Sequence, residues 1–377
     1  LEAELQAAVE KMDQLNEQVE RATIQLSNAD KLIGGLGGEA KSWEDTVAFL
    51  TVQLKNLIGD VLVCAGTISY LGPFTASYRS MLTKEWSEKL RSVGIACTED
   101  CNLAKILAEP VTVRQWNIDG LPADGFSVEN GIIMDITKRW PLMIDPQGQA
   151  NRFIKLSRAK FQLKSVKASD STKKIQQTLE MAIRLGQPVL LENVLEQLDP
   201  FLDPVLANQT YKDPSGSLVI KLGENVIPYH TDFAFALTTV IPNPHYAPEV
   251  SVKVAMLNFA ITQDGLEDQL LVSTVETERP DLAEKKAQII VQNAENKKKL
   301  QDLQDEILFM LSNSEGNILD DTKLIETLAI SKATSEEIMI AVQEAEVAEK
   351  EIDETRAKYI PVAVRGAILF FCIADLS

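Results

Sequence analysis

The residues best placed to do chemistry lie between 145 and 253. Asp145-Pro146-Gln147-Gly148-Gln149-Ala150-Asn151-Arg152 follows a short apolar run. It keeps the outline of the phosphate-binding pattern G-x-x-x-x-G-K-[ST]. In the intact pattern, backbone N–H groups at a helix N-terminus cradle phosphates, the Lys meets the outer ones and the Ser/Thr holds Mg²⁺. Here Asp145 stands for the first Gly, Ala150 for the second, Asn151 for the Lys and Arg152 for the Ser/Thr. Taken alone, a plain strand-to-helix turn accounts for the stretch as well. Chain order adds weight. Val189-Leu-Leu191 leads into Glu192-Asn193, where a working ATPase carries an Asp for Mg²⁺ and often a Glu to align water. Glu192 can still approach a metal, but Asn193 cannot serve as a base. A third apolar run ends near Asn243, a polar residue where a γ-phosphate would be sensed. Arg152 would offset phosphate charge if one bound, and otherwise is expected to pair with an acidic neighbour.

Other chemistries find less support. Cys97 and Cys101 are four apart, with no second pair and only two His in the chain, which argues against a zinc site. Four Cys in 377 residues make no disulfide framework and point to a reducing compartment. His230 and His245 read as loop or core residues, and Trp43, Trp86, Trp116 and Trp140 as packing anchors. Asp264, Glu267 and Asp268 read as solvated or capping residues. With 37 Lys+Arg against 55 Asp+Glu, the net charge of −18 argues against a nucleic-acid partner. A 45% hydrophobic and 24% charged composition fits a globular core, and the length allows two or three domains. No run is expected to reach the roughly 18 apolar residues of a membrane span. The best candidate, 360–376, is broken by Arg365 and Asp375, so no membrane partner is expected.

The elements that must position these residues differ along the chain. Leu1, Leu5, Ala8, Met12, Leu15, Val19, Ala22, Leu26, Ala29 and Ile33 are spaced alternately by four and three, a heptad seam that needs a facing helix. Gly34-Gly35 and Gly37-Gly38 read as a break or joint. Residues 43–70 read as helical. A second helical region, 276–358, carries apolar positions such as Leu282, Ile307, Ile338 and Ile352 around a turn at 313–317, giving an antiparallel hairpin that Pro361 would end. The acidity sits on these arms: residues 276–358 hold 20 acidic against 11 basic side chains. Between them, runs at 141–145, 188–191, 218–222 and 233–240 alternate with helical stretches such as 172–185, which argues for a parallel α/β sheet. Leu1 in place of Met, inside a periodic pattern, and an apolar C-terminal stretch suggest a segment of a longer polypeptide.

Longer runs carry a resemblance. They are Trp43-Glu44 with Leu57-Ile-Gly-Asp60, Ile68-Ser-Tyr-Leu-Gly-Pro-Phe74, Trp140-Pro-Leu-Met-Ile-Asp-Pro-Gln-Gly-Gln-Ala150, Glu192-Asn-Val-Leu-Glu-Gln-Leu-Asp-Pro200, Asn243-Pro-His-Tyr246, Gly265-Leu-Glu-Asp-Gln-Leu-Leu271, Glu278-Arg-Pro280 and Ile318-Leu-Asp-Asp321. Together they resemble the fifth AAA+ module of a dynein heavy chain with its flanking pieces. Gly120-Leu-Pro, Asn130-Gly131 and Leu71-Gly-Pro-Phe74 look more like ciliary than cytoplasmic dyneins.

The resemblance implies an AAA+ P-loop-type parallel-sheet module with a helical small subdomain, flanked by coiled-coil helical arms. It implies a returning stalk coiled-coil helix at 1–38, with seam residues Leu1, Leu5, Met12, Leu15, Val19, Leu26 and Ile33. The fifth AAA+ module would be 39–275, a buttress or strut hairpin 276–358, and the start of the sixth module 359–377. It implies a non-catalytic ring segment, with a degenerate nucleotide pocket of Asp145, Pro146, Gly148, Asn151, Arg152, Glu192, Asn193, Asn243 and Lys253. Lys253 stands near where such a module can offer an arginine finger to its neighbour, although Lys lacks the bidentate fork. Ser42-Trp43 departs from the Arg-Trp of many relatives. No cofactor is expected in this segment, with ATP/ADP and Mg²⁺ elsewhere in the parent ring. Implied partners are the preceding and following ring modules, the outgoing stalk helix, a microtubule reached through the stalk tip, and dynein light and intermediate chains, in the cytoskeleton of a ciliary or flagellar axoneme. An active P-loop ATPase, and a coiled-coil scaffold with an inert α/β domain, stay open as alternatives.

Overall fold

A computed structural model describes residues 2–313 and 322–376. The chain divides into two compact units, Leu1–Gln53 with Asp281–Thr355 and Leu54–Pro280 with Arg356–Ser377. Helix α1 spans Glu2–Gly66 and ends in a π-helical turn, Thr67–Leu71. It runs without interruption through Gly34-Gly35 and Gly37-Gly38, so the expected joint is absent. A helical glycine costs only about 1 kcal/mol relative to Ala, and long helical stretches on both sides outweigh four of them. The sequence boundaries expected near 38 and 276 both fall inside helices.

In the second unit, helices α2 (Ala76–Ser92), α3 (Leu103–Leu107), α4 (Pro110–Ile118) and α5 (Gly125–Ile136) precede the sheet. Then come β1 (Trp140–Ile144), α6 (Gln149–Ser157), β2 (Lys164–Lys167), α7 (Thr172–Leu185), β3 (Val189–Glu192) and α8 (Asp203–Leu206). Strands β4 (Thr210–Lys212), β5 (Leu218–Leu222) and β6 (Asn225–Pro228) lead to β7 (Phe235–Thr239), α9 (Pro248–Ser251), β8 (Val254–Asn258) and α10 (Gln263–Glu278). The main sheet has the order β2-β3-β7-β1-β8 with every pair parallel. Its central strands are buried on both faces, as parallel sheets covered by helices must be. Ile175, Leu179 and Ile183 of α7 belong to the core on one side, and Ile132, Ile133, Phe153 and the α1 residue Val63 to that on the other. The chain is thus an α/β module of the expected AAA+ kind.

Two differences from the sequence reading stand out. Leu218–Leu222 is a strand, but it pairs antiparallel with β4 and β6 in a separate sheet. Tight turns on both sides, with Gly216 at φ +85 and Gly223 at φ +61, return the chain at once and leave no room for a crossover. The fifth parallel strand is β8, and the edge strand β2 buries only Val166, so its Lys-Ser-Val-Lys sequence carries little apolar signal. The second difference concerns hydropathy. The helical stretch Trp43–Leu71 is long and apolar enough to cross a membrane by length and composition, with a mean hydropathy of 1.6, against the expectation of no such run. Its last turns are core: Val63, Cys64, Thr67 and Leu71 are buried in the α/β unit.

Arg79 fixes the exit from that helix. Its Nε donates to the carbonyls of Leu71 at 3.0 Å and Phe74 at 3.2 Å, and one terminal nitrogen donates to Gly72 O at 2.8 Å and Asn130 Oδ1 at 2.6 Å. The other reaches Glu129 at 3.4 Å, and the guanidinium lies 4.3 Å from the Phe126 ring centroid. Burial pushes the Arg79 pKa down to about 10 against the opposing pull of Glu129. Asn130 passes the link to β8 by donating to Asn258 O at 2.7 Å, and the Asn258 N–H donates to Gly72 O at 2.9 Å. Gly72 is required here, because a Cβ would lie 2.2 Å from Met256 O.

The arms and the last helix complete the chain. Pro280 opens α11 (Pro280–Asn313), so the long helical region breaks at Arg279, and α12 (Thr322–Ala357) follows. Lys286 Nζ meets Asp353 Oδ1 at 2.6 Å, an antiparallel pairing of the two. The expected turn at 313–317, apart from Asn313, lies outside the described residues. Helix α13 (Ile360–Leu376) begins at Ile360, so Pro361 sits in its first turn, a position proline suits, rather than closing the hairpin by itself. Gly366 of α13 lets α10 approach closely: a Cβ there would lie 2.9 Å from Leu270 Cδ1.

Arg79→Ala is expected to destabilise the chain by about 3–5 kcal/mol, since it strands Glu129, the Phe74 carbonyl and Asn130 Oδ1. Urea unfolding checks this, and Arg79→Lys should recover only part of the loss because it lacks the planar fork.

Candidate functional site

The loop between β1 and α6 lies at the C-terminal ends of the parallel strands, where doubly wound sheets bind ligands. The Asp145 N–H donates to Thr239 O at 2.8 Å, which ties the end of β1 to the end of β7. Pro146 and Gln147 form the turn, and Gly148 takes a left-handed φ of +79, so the chain reverses into α6. The Asp145 side chain then folds back over the start of this helix. Its Oδ2 accepts the Asn151 N–H at 2.8 Å. The Gly148 N–H donates instead to the Asp145 main-chain carbonyl at 3.4 Å. Oδ1 is buried with no hydrogen-bond partner among the described residues. Burial raises the Asp145 pKa above its ordinary value, and the backbone N–H groups at the start of α6 offset only part of that rise.

Glu192 at the end of β3 forms the second half of the site. Its Oε2 accepts from Asn151 Nδ2 at 2.9 Å, and its Oε1 takes a short hydrogen bond from Ser165 Oγ and an ion pair with Lys155 Nζ at 2.9 Å. Burial would raise its pKa, but Lys155, Ser165 and Asn151 together hold it below the ordinary value. The structure therefore brings together Asp145, Gly148, Asn151 and Glu192, with Pro146 in the intervening turn. A shallow hollow of ≈ 490 Å³ lies outside them, lined by Gly148, Asn151, Arg152, Lys155 and Leu156.

The other expected pocket residues lie elsewhere. Arg152 is exposed and runs beside Gly120, and no acidic partner is among its described contacts. Asn193 is exposed with φ +59, a backbone conformation that Asn tolerates. Asn243 is exposed four residues past the end of β7; the buried residue at that strand end is Thr239. Lys253 precedes β8 at the opposite edge of the sheet, where its Nζ meets Asp203 at 2.8 Å. The N-terminal ends of β1, β3 and β7 border a larger hollow of ≈ 530 Å³, bounded by Trp116, Arg139, Trp140, Val189 and Phe235, away from the loop after β1. Sequence reading missed Lys155 and Ser165. Lys155 was detectable as the residue one helical turn after Asn151; Ser165 was not, because β2 gave no strand signal.

A second candidate lies in the other unit. Leu32 of α1 is 5% exposed and packs with Ile307 of α11 and Ile325 of α12, with Trp43, Met310 and Leu311 around them. Asn28 is also buried, and Gln25 and Ala29 partly so, which marks one face at 25, 28, 29 and 32. The heptad seam is an adjacent face that shares only Ala29 with it. Met12, Leu15, Val19, Leu26 and Ile33 are all exposed, Ile33 by 72%. Leu1 and the side chain of Leu5 lie outside the described residues. One helix thus presents a mixed face, packed against the hairpin through Leu32, beside an exposed apolar seam.

Comparison with known proteins agrees with this architecture. A family model described as the ATP-binding dynein motor region matches residues 114–338, and one described as the microtubule-binding stalk of dynein motor matches residues 2–90. The chain is 48% identical over all 377 residues to dynein axonemal heavy chain 1 of Mus musculus. It is 48% identical over 352 residues, 93% of its length, to dynein axonemal heavy chain 3 of Mus musculus. It is 42% identical over 356 residues, again 93%, to the dynein-1-beta heavy chain of the flagellar inner arm I1 complex of Chlamydomonas reinhardtii. In each case it spans only 8–9% of the relative's length.

The two carboxylates predict opposite pH effects. Glu192, with a lowered pKa, contributes stability that is present above its unfolded value and lost as pH falls through the folded one. Asp145, with a raised pKa, contributes stability that is present below its unfolded value and lost as pH rises through the folded one. Urea unfolding across the carboxylate range should show the wild type gaining on Glu192→Gln and losing ground to Asp145→Asn as pH rises.

Proposed function

The chain belongs to the dynein heavy chain family, and from that premise we propose that it is a mechanical segment of a ciliary, ATP-driven microtubule motor that does not itself hydrolyse ATP. In this reading residues 1–38 are the base of the returning stalk helix, 39–275 the fifth ring module, 276–358 the buttress and 359–377 the start of the sixth module. ATP chemistry, with its Mg²⁺, belongs to other modules of the parent ring. The microtubule is reached through the stalk tip, and the outgoing stalk helix pairs with the seam of α1. The parent works in the axoneme, with light and intermediate chains as further partners.

The observation that carries the proposal is the packing of Leu32 on Ile307 and Ile325. It lets a hairpin hold the stalk helix on one side while the seam stays available for a partner helix on another. A heptad seam admits more than one register, and a push on one strand relative to the other carries a signal along it. The losses at Asn151, Arg152 and Asn193 remove the Lys, the Mg²⁺ hydroxyl and the water-aligning carboxylate of a working site. The body then serves as a support through which ring movement reaches the hairpin.

In the full heavy chain, Leu32→Asp should leave basal ATPase intact while cutting the nucleotide-dependent change in microtubule affinity at least tenfold. Ile325→Cys paired with Leu32→Cys should crosslink readily. Unchanged coupling together with absent crosslinking would sink the reading.

A further inference from the structure

We propose that the nucleotide pocket of this module carries its own ligands: the Asp145 carboxylate takes the place of a phosphate in the amide nest of residues 148–151, and Lys155 takes the place of a cation on Glu192. The inference extends the reading of a module without turnover, but it concerns occupancy and not hydrolysis.

The geometry of the loop carries it. In the pattern G-x-x-x-x-G-K-[ST], the N–H groups of the fourth to seventh positions are those that surround a phosphate. Here these are Gly148, Gln149, Ala150 and Asn151, and the carboxylate from the first position folds back onto them. The Asn151 N–H is bonded to it at 2.8 Å. Asp145 is 2% exposed, so an arriving anion cannot share the nest and must displace a buried side chain. A glycine at this position, as in the intact pattern, leaves the nest open.

The second observation is independent of the first. A bound nucleotide brings Mg²⁺ to the acidic residue at the end of a second parallel strand, here β3, which β7 separates from β1. Glu192, at that place, has both oxygens engaged, one by Asn151 Nδ2 and the other by Ser165 Oγ and Lys155 Nζ. The cation an incoming phosphate would need is therefore committed to a carboxylate, and Arg152 is exposed beside Gly120. Asn151 joins the halves: its backbone N–H serves Asp145 and its side chain serves Glu192. The residues present do not fit a nucleotide phosphate with its metal. They fit each other, and they hold β1, α6 and β3 together with no bound ligand.

The test is titration calorimetry of the 377-residue chain with inorganic pyrophosphate and with Mg-ATP at fixed ionic strength. The wild type is expected to bind neither at millimolar concentrations. Asp145→Gly is expected to gain pyrophosphate binding at least tenfold tighter than any in the wild type, with a pyrophosphate-dependent rise in melting temperature. Micromolar binding by the wild type, or a folded Asp145→Gly chain that takes no pyrophosphate, overturns the proposal. Should Asp145→Gly fail to fold, the wild type and Asp145→Asn decide it by NMR. The amide resonances of Gly148 and Asn151 are expected to follow one carboxyl titration that Asp145→Asn abolishes, and pH-independent resonances in the wild type overturn the proposal. Binding without turnover would remove self-occupancy and leave the non-catalytic reading in place, whereas ATP hydrolysis by the wild type would remove that reading.

Discussion

A carboxylate buried at the end of a parallel strand must be answered by hydrogen-bond donors or become neutral. At the end of β1 the answer to Asp145 is the first turn of α6, and much of the local architecture follows from it. The chain has to reverse within three residues, which requires the left-handed Gly148. The start of α6 has to face the strand end, which brings Asn151 within reach of Glu192 and places Lys155, one turn later, on the same carboxylate. The crevice between strands that other proteins of this architecture use for a ligand is closed here by side-chain chemistry. A helix–strand joint of this kind does not wait for a ligand to become stiff.

Arg79 does similar work beside the C-terminal end of the adjacent strand β8. Three carbonyls of the turn after α1, an Asn and a Glu converge on one guanidinium, and Asn130 and Asn258 extend the link to β8. Replacing such a set with apolar groups can be neutral, but removing one member leaves buried charge unanswered. Both clusters fix direction as well as adding stability: one sets where a helix leaves the sheet, the other where the long α1 helix joins it. Directional stiffness suits the mechanical role proposed above. The packing of Leu32 on the hairpin adds an apolar contact, whose burial and dispersion terms have little directionality.

The sequence carried much of this. Apolar runs located β1, β3 and β7, the alternating seam located α1, and the pattern after β1 located the loop that holds Asp145. What it could not carry has a physical reason in each case. The Lys-Ser-Val-Lys strand β2 is an edge strand, so three of its four side chains are not buried and period-two hydropathy fades. Four glycines near residue 36 looked like a hinge because local propensity is blind to the helix on either side. Arg79 was invisible because nothing in its own surroundings marks it: its partners come from residues 71–74 and 129–130. The identity of Asp145 was legible as a lost glycine, yet only the fold showed that the replacement fills the space the glycine would have left.

The measurement closest to this account is amide hydrogen exchange of residues 148–151 in the unmodified chain, with and without Mg-ATP. If Asp145 already occupies the nest, the Asn151 amide is protected in the absence of nucleotide and Mg-ATP leaves its rate unchanged. Fast exchange that slows only when Mg-ATP is added would show an open nest awaiting a ligand, and would contradict the account.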